Sequence, residues 1–177
     1  MRVIAGKHRS RVLAEFEKIG VRPTSDRARE ALFNILQGKV PFCRFLDGFA
    51  GTGAVGIEAI SRGAKEVVFI DGAREAVALI QKNLATLKER AEVKQSDVIS
   101  ALQRETRAYD IVFFDPPYGT TLGETALGVL SQRNLLADDG VAVLEKDSEG
   151  KAIEGFMITD VRKYGKNVFT FYQKEQV

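Results

Sequence analysis

The chain has 177 residues, 45% of them apolar and 28% charged, with a formal net charge of +2. This is the balance of a globular domain with a sizeable core; no apolar run reaches the roughly 18 residues of a membrane helix, and "MRVIAGKHRS" lacks the apolar stretch of a signal peptide, so a cytoplasmic protein is expected. A single cysteine, Cys43, excludes internal disulfides and cysteine-rich zinc sites, and a single histidine, His8, with no serine elbow motif, gives no support to a Ser-His-Asp triad.

The charge is unevenly spread. Residues 1–30 carry eight Lys/Arg (Arg2, Lys7, Arg9, Arg11, Lys18, Arg22, Arg27, Arg29) against four acids (Glu15, Glu17, Asp26, Glu30), which is +4 and leaves −2 for the other 147 residues. A basic end on a slightly acidic body fits a polyanion partner as well as it fits a solvated terminus.

In chain order, "RVIAG" (2–6) and "RVLAEF" (11–16) predict a short hairpin around "KHRS". "RPTSDRAREALFNILQG" predicts a helix, with Pro23 ahead of it, Ser25 or Asp26 near its N-cap, apolar Ala28, Ala31, Leu32 and Ile35 at helical spacing, and Gly38 at its end. From residue 43 strands and helices alternate: strand 43–47, a helix closed by Gly63, strand 66–71, helix 73–89, strand 92–97, helix 98–105, strand 109–115, helix 122–133 and strand 140–147. Alternation of this kind implies a parallel sheet with helices on both faces. "FMITDVRKY" and "NVFTFYQKE", joined by Gly165-Lys166, have no helix between them and predict an antiparallel pair at one edge. Cys43, in the first strand, is expected to be a small buried hydrophobe.

Two motifs carry chemistry. "DGFAGTGAVG" (47–56) joins the first strand to its helix and contains Gly51-x-Gly53-x-x-Gly56, with Asp71 ending the next strand where a ribose acceptor is expected. Alone, this pattern admits a nicotinamide cofactor. Three acids at successive strand ends, Asp47, Asp71 and Asp97, suit a cationic adenosine-containing ligand better than a diphosphate: Asp47 for an ammonium, Asp71 for the ribose, Asp97 for the adenine amine. Acids also cap helices at such positions.

The second motif is "FFDPPYG" (113–119), at the end of the fourth strand. An exocyclic amine on a base is a poor nucleophile because its lone pair is delocalised into the ring. The Asp115 carboxylate and the Pro116 carbonyl, its direction fixed by proline, are two acceptors for its two N–H bonds. Tyr118 is placed to stack on the base, a contact worth about 1–3 kcal/mol. An activated methyl group would need only alignment, and no metal-ligand cluster is evident.

"DGFAGTG", the acids at 71 and 97 and "DPPY" together resemble class I S-adenosylmethionine-dependent amino-methyltransferases. "RVIAGKHRSRVL" followed by "RPTSDRAREALFNIL" further resembles the bacterial RsmD-like family, which methylates N2 of a guanine in small-subunit (16S) ribosomal RNA. Arg22, Pro23, Thr24, Asp26, Arg27, Arg29, Glu30, Leu32, Phe33 and Asn34 match the family pattern, with Ala28 in place of valine. Gly48 replaces a usually larger residue and Ser10 a common glycine. The resemblance implies a Rossmann-like α/β fold with a seven-stranded, mostly parallel sheet. It implies a basic extension over residues 1–40, part of the same domain as a catalytic core over 41–177. S-adenosylmethionine would lie over Asp47, Ala50, Gly51, Gly53, Asp71, Asp97, Val98 and Asp115, and the flipped guanine at Asp115, Pro116 and Tyr118. Arg2, Lys7, Arg9, Arg11, Arg22, Arg27 and Arg29 would grip 16S rRNA, in a 30S subunit or an assembly intermediate. A monomer without membrane contact is expected. Other readings are a DNA adenine-N6 methyltransferase, a nicotinamide oxidoreductase and a non-catalytic ribosome-assembly factor.

Overall fold

A computed structural model describes residues 1–16 and 24–176. Twelve elements alternate as the sequence leads one to expect: α1 (Asp26–Leu36), β1 (Arg44–Gly48), α2 (Ala54–Ser61), β2 (Glu66–Asp71), α3 (Arg74–Leu87), β3 (Glu92–Gln95), α4 (Val98–Arg104), β4 (Tyr109–Phe114), α5 (Leu122–Gln132), β5 (Leu136–Lys146), β6 (Phe156–Tyr164) and β7 (Asn167–Lys174). They form one seven-stranded sheet in the order β3-β2-β1-β4-β5-β7-β6. The first five strands run parallel, and β7 lies antiparallel to both β5 and β6.

Neighbouring residues on each central strand face opposite sides, as the pleat requires. Phe45, Val67, Phe69, Ile111, Phe113 and Val143 pack with α1, α2 and α3, whereas Leu46, Val68, Ile70, Val112, Phe114 and Leu144 pack with α4 and α5. Ile57 and Leu32 on the first face and Leu127 and Leu130 on the second are 0% exposed, so helices seal both sides of the sheet. Burying an aliphatic or aromatic side chain contributes about 1.5–3 kcal/mol.

Several predicted elements change at their ends. Ser25 caps α1 by accepting from the Ala28 amide at 3.1 Å, and β3 stops at Gln95 because Asp97 turns to cap α4. β5 begins at Leu136 rather than at residue 140: Leu136 pairs with Tyr109 before a register shift, two steps on β4 matching five on β5 up to the Ile111–Val141 pair. The predicted N-terminal hairpin is reduced to one antiparallel bridge, Arg2 with Val12. Its turn places Ser10 at φ 68°, a left-handed conformation that glycine adopts at less cost.

That N-terminal segment is held mainly by α2 and α3. Glu58, 1% exposed, accepts from the amides of Ile4 and Ala5 at 3.0 Å each and from Arg62 Nε at 3.0 Å. The Lys7 amide donates to the Ser61 carbonyl at 2.9 Å, and the Ala14 amide to Asn83 Oδ1 at 2.8 Å. At Gly6, φ 84°, a Cβ would lie 1.9 Å from the Ser61 carbonyl oxygen, so only glycine permits this approach.

Removing a partner from a buried charged network costs about 3–5 kcal/mol. Glu58→Ala is therefore expected to destabilise the protein by that amount in denaturant unfolding and to expose residues 1–14 to trypsin, whereas Glu30→Ala, on an exposed side chain, leaves the midpoint unchanged.

Candidate active site

Every parallel strand of the sheet ends at the same edge, and a cavity of about 580 Å³ opens there. The glycine loop forms one wall. Phe49 (φ 56°), Gly51 (φ 56°) and Gly53 (φ 79°) are left-handed, folding the chain back over β1 before α2 starts. Asp47 Oδ2 accepts from the Gly56 amide at 2.9 Å, and Asp71 accepts from the amides of Gly51 and Ala73, both at 2.9 Å. The acids at 47 and 71 thus shape the loop as well as facing the cavity. A Cβ on Gly51 would meet nothing within 4 Å, so the loop backbone is open to a ligand. The glycine at 48 has a local reason: a Cβ there would lie 2.5 Å from the Phe114 ring.

The structure brings most of the predicted site residues to this cavity. Asp47, Ala50 and Gly51 line it from the loop, Asp71 from the end of β2, Asp97 and Val98 from the start of α4, and Asp115, Pro116 and Tyr118 from the segment after β4. Gly53 has a structural part in the loop. It does not line the cavity but makes the turn as the N-cap of α2, tightly packed, with a Cβ position 2.9 Å from Ile80. Asp97 is exposed and accepts from the Ser100 amide at 2.9 Å, and hydrogen bonds from Ser100 hold its carboxyl below the usual range. Pro116 is buried against α5, where a Cβ on Gly123 would lie 2.9 Å from its ring, and Tyr118 stands 56% exposed at the mouth.

A polar pair that reaches this region escaped the sequence reading: one partner lines the cavity and the other lies behind it. Thr24 lines the cavity from the segment before α1, and its hydroxyl donates to Glu145 Oε2 on β5 at 2.7 Å. Glu145 is 3% exposed. An acid ending an apolar strand was the available signal, the same one that marked Asp115. Burial pushes the Asp47 carboxyl well above its usual range, with Asp71 adding to the effect. Burial does the same to Asp115, helped by the negative charges of Glu145 and Asp47. Glu145 is raised to about 7 by burial, against the Thr24 hydrogen bond. Among the described residues no basic side chain pairs with these three carboxyls, so the wall attracts a cation.

The predicted RNA-contacting residues divide. Arg2, Lys7, Arg9, Arg11 and Arg27 are exposed. Three of them are partly engaged: Arg2 Nη1 donates to the Ser10 carbonyl at 3.0 Å, Arg11 to the Thr86 carbonyl at 3.2 Å, and Lys7 pairs with Glu89 at 2.5 Å. Arg22 lies outside the described residues, as does Lys18. Arg29 is a correction: it is 1% exposed and its guanidinium bonds the Arg2 carbonyl at 2.5 Å and Asp26 at 3.2 Å. It clamps α1 to the N-terminal segment and has no surface to offer RNA. His8 Nε2 bonds Glu89 at 2.7 Å, far in role from any triad. Cys43 is buried and its thiol is pushed up to about 12 by burial and by Asp110.

Sheet order and the acid-walled cavity over its carboxyl edge place the chain among the class I methyltransferases, which use S-adenosylmethionine. Within that class it belongs to the family described as conserved hypothetical protein 95, whose profile matches residues 1–173. It is 35% identical over 180 residues to the ribosomal RNA small subunit methyltransferase D of Haemophilus influenzae, covering 98% of this chain and 93% of that protein. The solved structure of Escherichia coli yhhF superposes with a TM-score of 0.89 at 36% identity, over 99% of this chain and 98% of that one. The Thermus thermophilus 16S rRNA N2 G1207 methyltransferase, solved with AdoMet and guanosine, matches with a TM-score of 0.69 at 26% identity, over 88% of this chain and 44% of that one.

The residues fit the cofactor: about 580 Å³ of space, an exposed loop backbone and a wall of carboxyls opposite a sulfonium and an ammonium. Asp71→Ala removes the acceptor of two loop amides and a charge-assisted partner worth about 1.5–3 kcal/mol. Calorimetry is expected to show S-adenosylmethionine affinity falling about tenfold or more, since about 1.4 kcal/mol is a factor of ten.

Proposed function

We propose that this chain transfers the methyl group of S-adenosylmethionine to the exocyclic N2 amine of a guanine in small-subunit ribosomal RNA. The observation that carries the reading is Asp115, a carboxyl at the end of a buried strand, opening on the same cavity as the glycine loop, with Pro116 fixed behind it and Tyr118 at the mouth. The names of the relatives support an rRNA substrate, and the guanosine bound to the Thermus protein supports the base and the amine.

S-adenosylmethionine supplies a methyl group already activated on a sulfonium. The chain's own part is placement. Asp47 and Asp71 fix the loop and face the cationic end of the cavity. Asp115 and the Pro116 carbonyl accept the two N–H bonds of the amine, and Tyr118 stacks on the base. Alignment of this kind contributes roughly 7–11 kcal/mol to a barrier. In this reading residues 1–40 grip RNA through Arg2, Lys7, Arg9, Arg11 and Arg27, as an extension of the domain formed with residues 41–177. Replacing Lys7, Arg9 and Arg11 together lowers the log–log salt slope by roughly 0.7 per lost phosphate contact and leaves S-adenosylmethionine affinity unchanged.

Labelled methyl transfer to 30S particles, free 16S rRNA and DNA, followed by nucleoside analysis, tests the reading. N2-methylguanosine from an rRNA substrate is the expected product; N6-methyladenine from DNA, or RNA binding without transfer, overturns it. Asp115→Ala is expected to slow single turnover by about 10²–10⁴-fold with the melting temperature intact. Tyr118→Ala weakens base capture and turnover, and Tyr118→Phe, which keeps the ring, is mild. A wild-type rate for Asp115→Ala removes the basis of the clamp.

A further inference from the structure

We infer that Glu145 is a positioning residue for the transfer: tied to Thr24 and lying beside Asp115 on the adjoining strand, it gives Asp115 the basicity to take the proton that the methylated amine must lose. This rests on the reading of Asp115 as the amine's acceptor.

The register sets the geometry. Phe114, the last residue of β4, pairs with Leu144 on β5, so Asp115 leaves β4 beside Glu145, on strands whose usual spacing is about 4.8 Å. Both follow the pleat to the face of Phe113 and Val143, the face on which α1 packs. Asp47, paired with Phe113, stands on that face one strand further on. The groups around the pair are therefore Asp47 from β1, Thr24 from the segment before α1, and Phe169, which pairs with Glu145 from β7. Lys146 turns to the opposite face and bonds Glu124 at 2.6 Å. Nothing positive offsets the two carboxyls among the described residues.

Two acids side by side out of water cannot both ionise freely, and an ionised neighbour raises the proton affinity of the other. Thr24, itself only 8% exposed, donates its hydroxyl to Glu145 and favours the ionised form against burial. With Glu145 charged, Asp115 becomes the better base. As the N–C bond forms, the C–S electron pair returns to sulfur and the amine nitrogen is left cationic with one surplus proton. Asp115 takes that proton as O–H, leaving the neutral methylated amine, and releases it to water when the base departs. Thr24 stands two residues before Asp26, where α1 begins, so the seating of that block against the wall sets how strongly Asp115 holds a proton.

Two readouts test this on the full chain. The first is carboxyl ¹³C NMR of protein labelled at aspartate, without cofactor or RNA, with the Asp115 signal assigned through Asp115→Asn. Glu145→Gln, which keeps the volume and the acceptor for Thr24, is expected to lower the Asp115 midpoint by about one pH unit or more. Thr24→Val shifts it the same way by less. The second is the pH profile of single-turnover methyl transfer to rRNA. Its rising limb is expected to follow the NMR midpoint downward in Glu145→Gln, with a plateau about tenfold lower because the base is weaker. A side chain that only fills the wall would change rate or melting temperature without moving either midpoint. An unshifted Asp115 titration in folded Glu145→Gln overturns the inference; if that variant does not fold, an unshifted titration in Thr24→Val does so. A shifted titration with an unshifted transfer profile also overturns it, and locates the failure in the role given to Asp115 rather than in the coupling.

Discussion

Carboxyls held out of water at the carboxyl ends of parallel strands are the constraint on which the rest of this molecule depends. Half-buried Asp71 and, further from water, Asp47, Asp115 and Glu145 lie on or directly after four adjacent strands, β2, β1, β4 and β5, and rise on one face. The last three lie where burial raises their proton affinity, with no cation from the protein to offset it. Such a wall is costly in the free protein and is relieved by a cationic ligand, so part of the energy of binding a sulfonium is stored in the fold beforehand. Neutral or anionic ligands gain nothing from it. A pyrophosphate would be repelled, which is why the glycine loop, ambiguous by itself, does not belong to a nicotinamide enzyme here.

The N-terminal block is built into the same arrangement. Ser25 caps α1, Thr24 one residue earlier reaches Glu145, and Arg29 one turn later holds the Arg2 carbonyl. Glu58 gathers the Ile4 and Ala5 amides on the far side of α2. A single short stretch therefore closes the wall of the cavity, starts a helix and fastens the basic segment. Within the "RPTSDRARE" block, Thr24, Ser25 and Arg29 are each tied down by a hydrogen bond, while Arg27 remains on the surface.

Which parts of this were legible in the sequence follows from range. Strand 66–71 was readable to the residue because "EVVFID" is an apolar run closed by an acid, and Asp47, Asp71 and Asp115 were readable because each follows such a run. These are local patterns. Residues whose roles went unread depend on partners far along the chain: Thr24 meets Glu145 across 121 positions, and Glu58 meets Ile4 across 54. Arg29 shows the limit of reading charge by counting. In composition it is one more basic residue at a basic end, but its place on the inward face of α1, beside Ala28, Leu32 and Phe33, turns it into a clamp. The extra residues at the start of β5 were invisible for a different reason, since a register shift is fixed by the strand alongside and not by the strand's own pattern.

On the function proposed above, the cavity also dictates how the substrate arrives. A base paired in a helix cannot reach Asp115, and extruding it costs a few kcal/mol. Stacking on Tyr118 returns about 1–3 kcal/mol, which does not cover that cost by itself. The remainder has to come from contacts that do not read the base, which means backbone phosphates and the basic segment. Those contacts are worth most when the cations are already placed, because ordering a loose terminus on binding consumes about 1–2 kcal/mol per residue fixed. The bonds that pin residues 2–14 to α2 and α3 meet that cost during folding instead. If the proposed clamp holds a flipped base, the bonds of Glu58, Ser61 and Asn83, remote from the chemistry, are what would let a half-exposed tyrosine suffice.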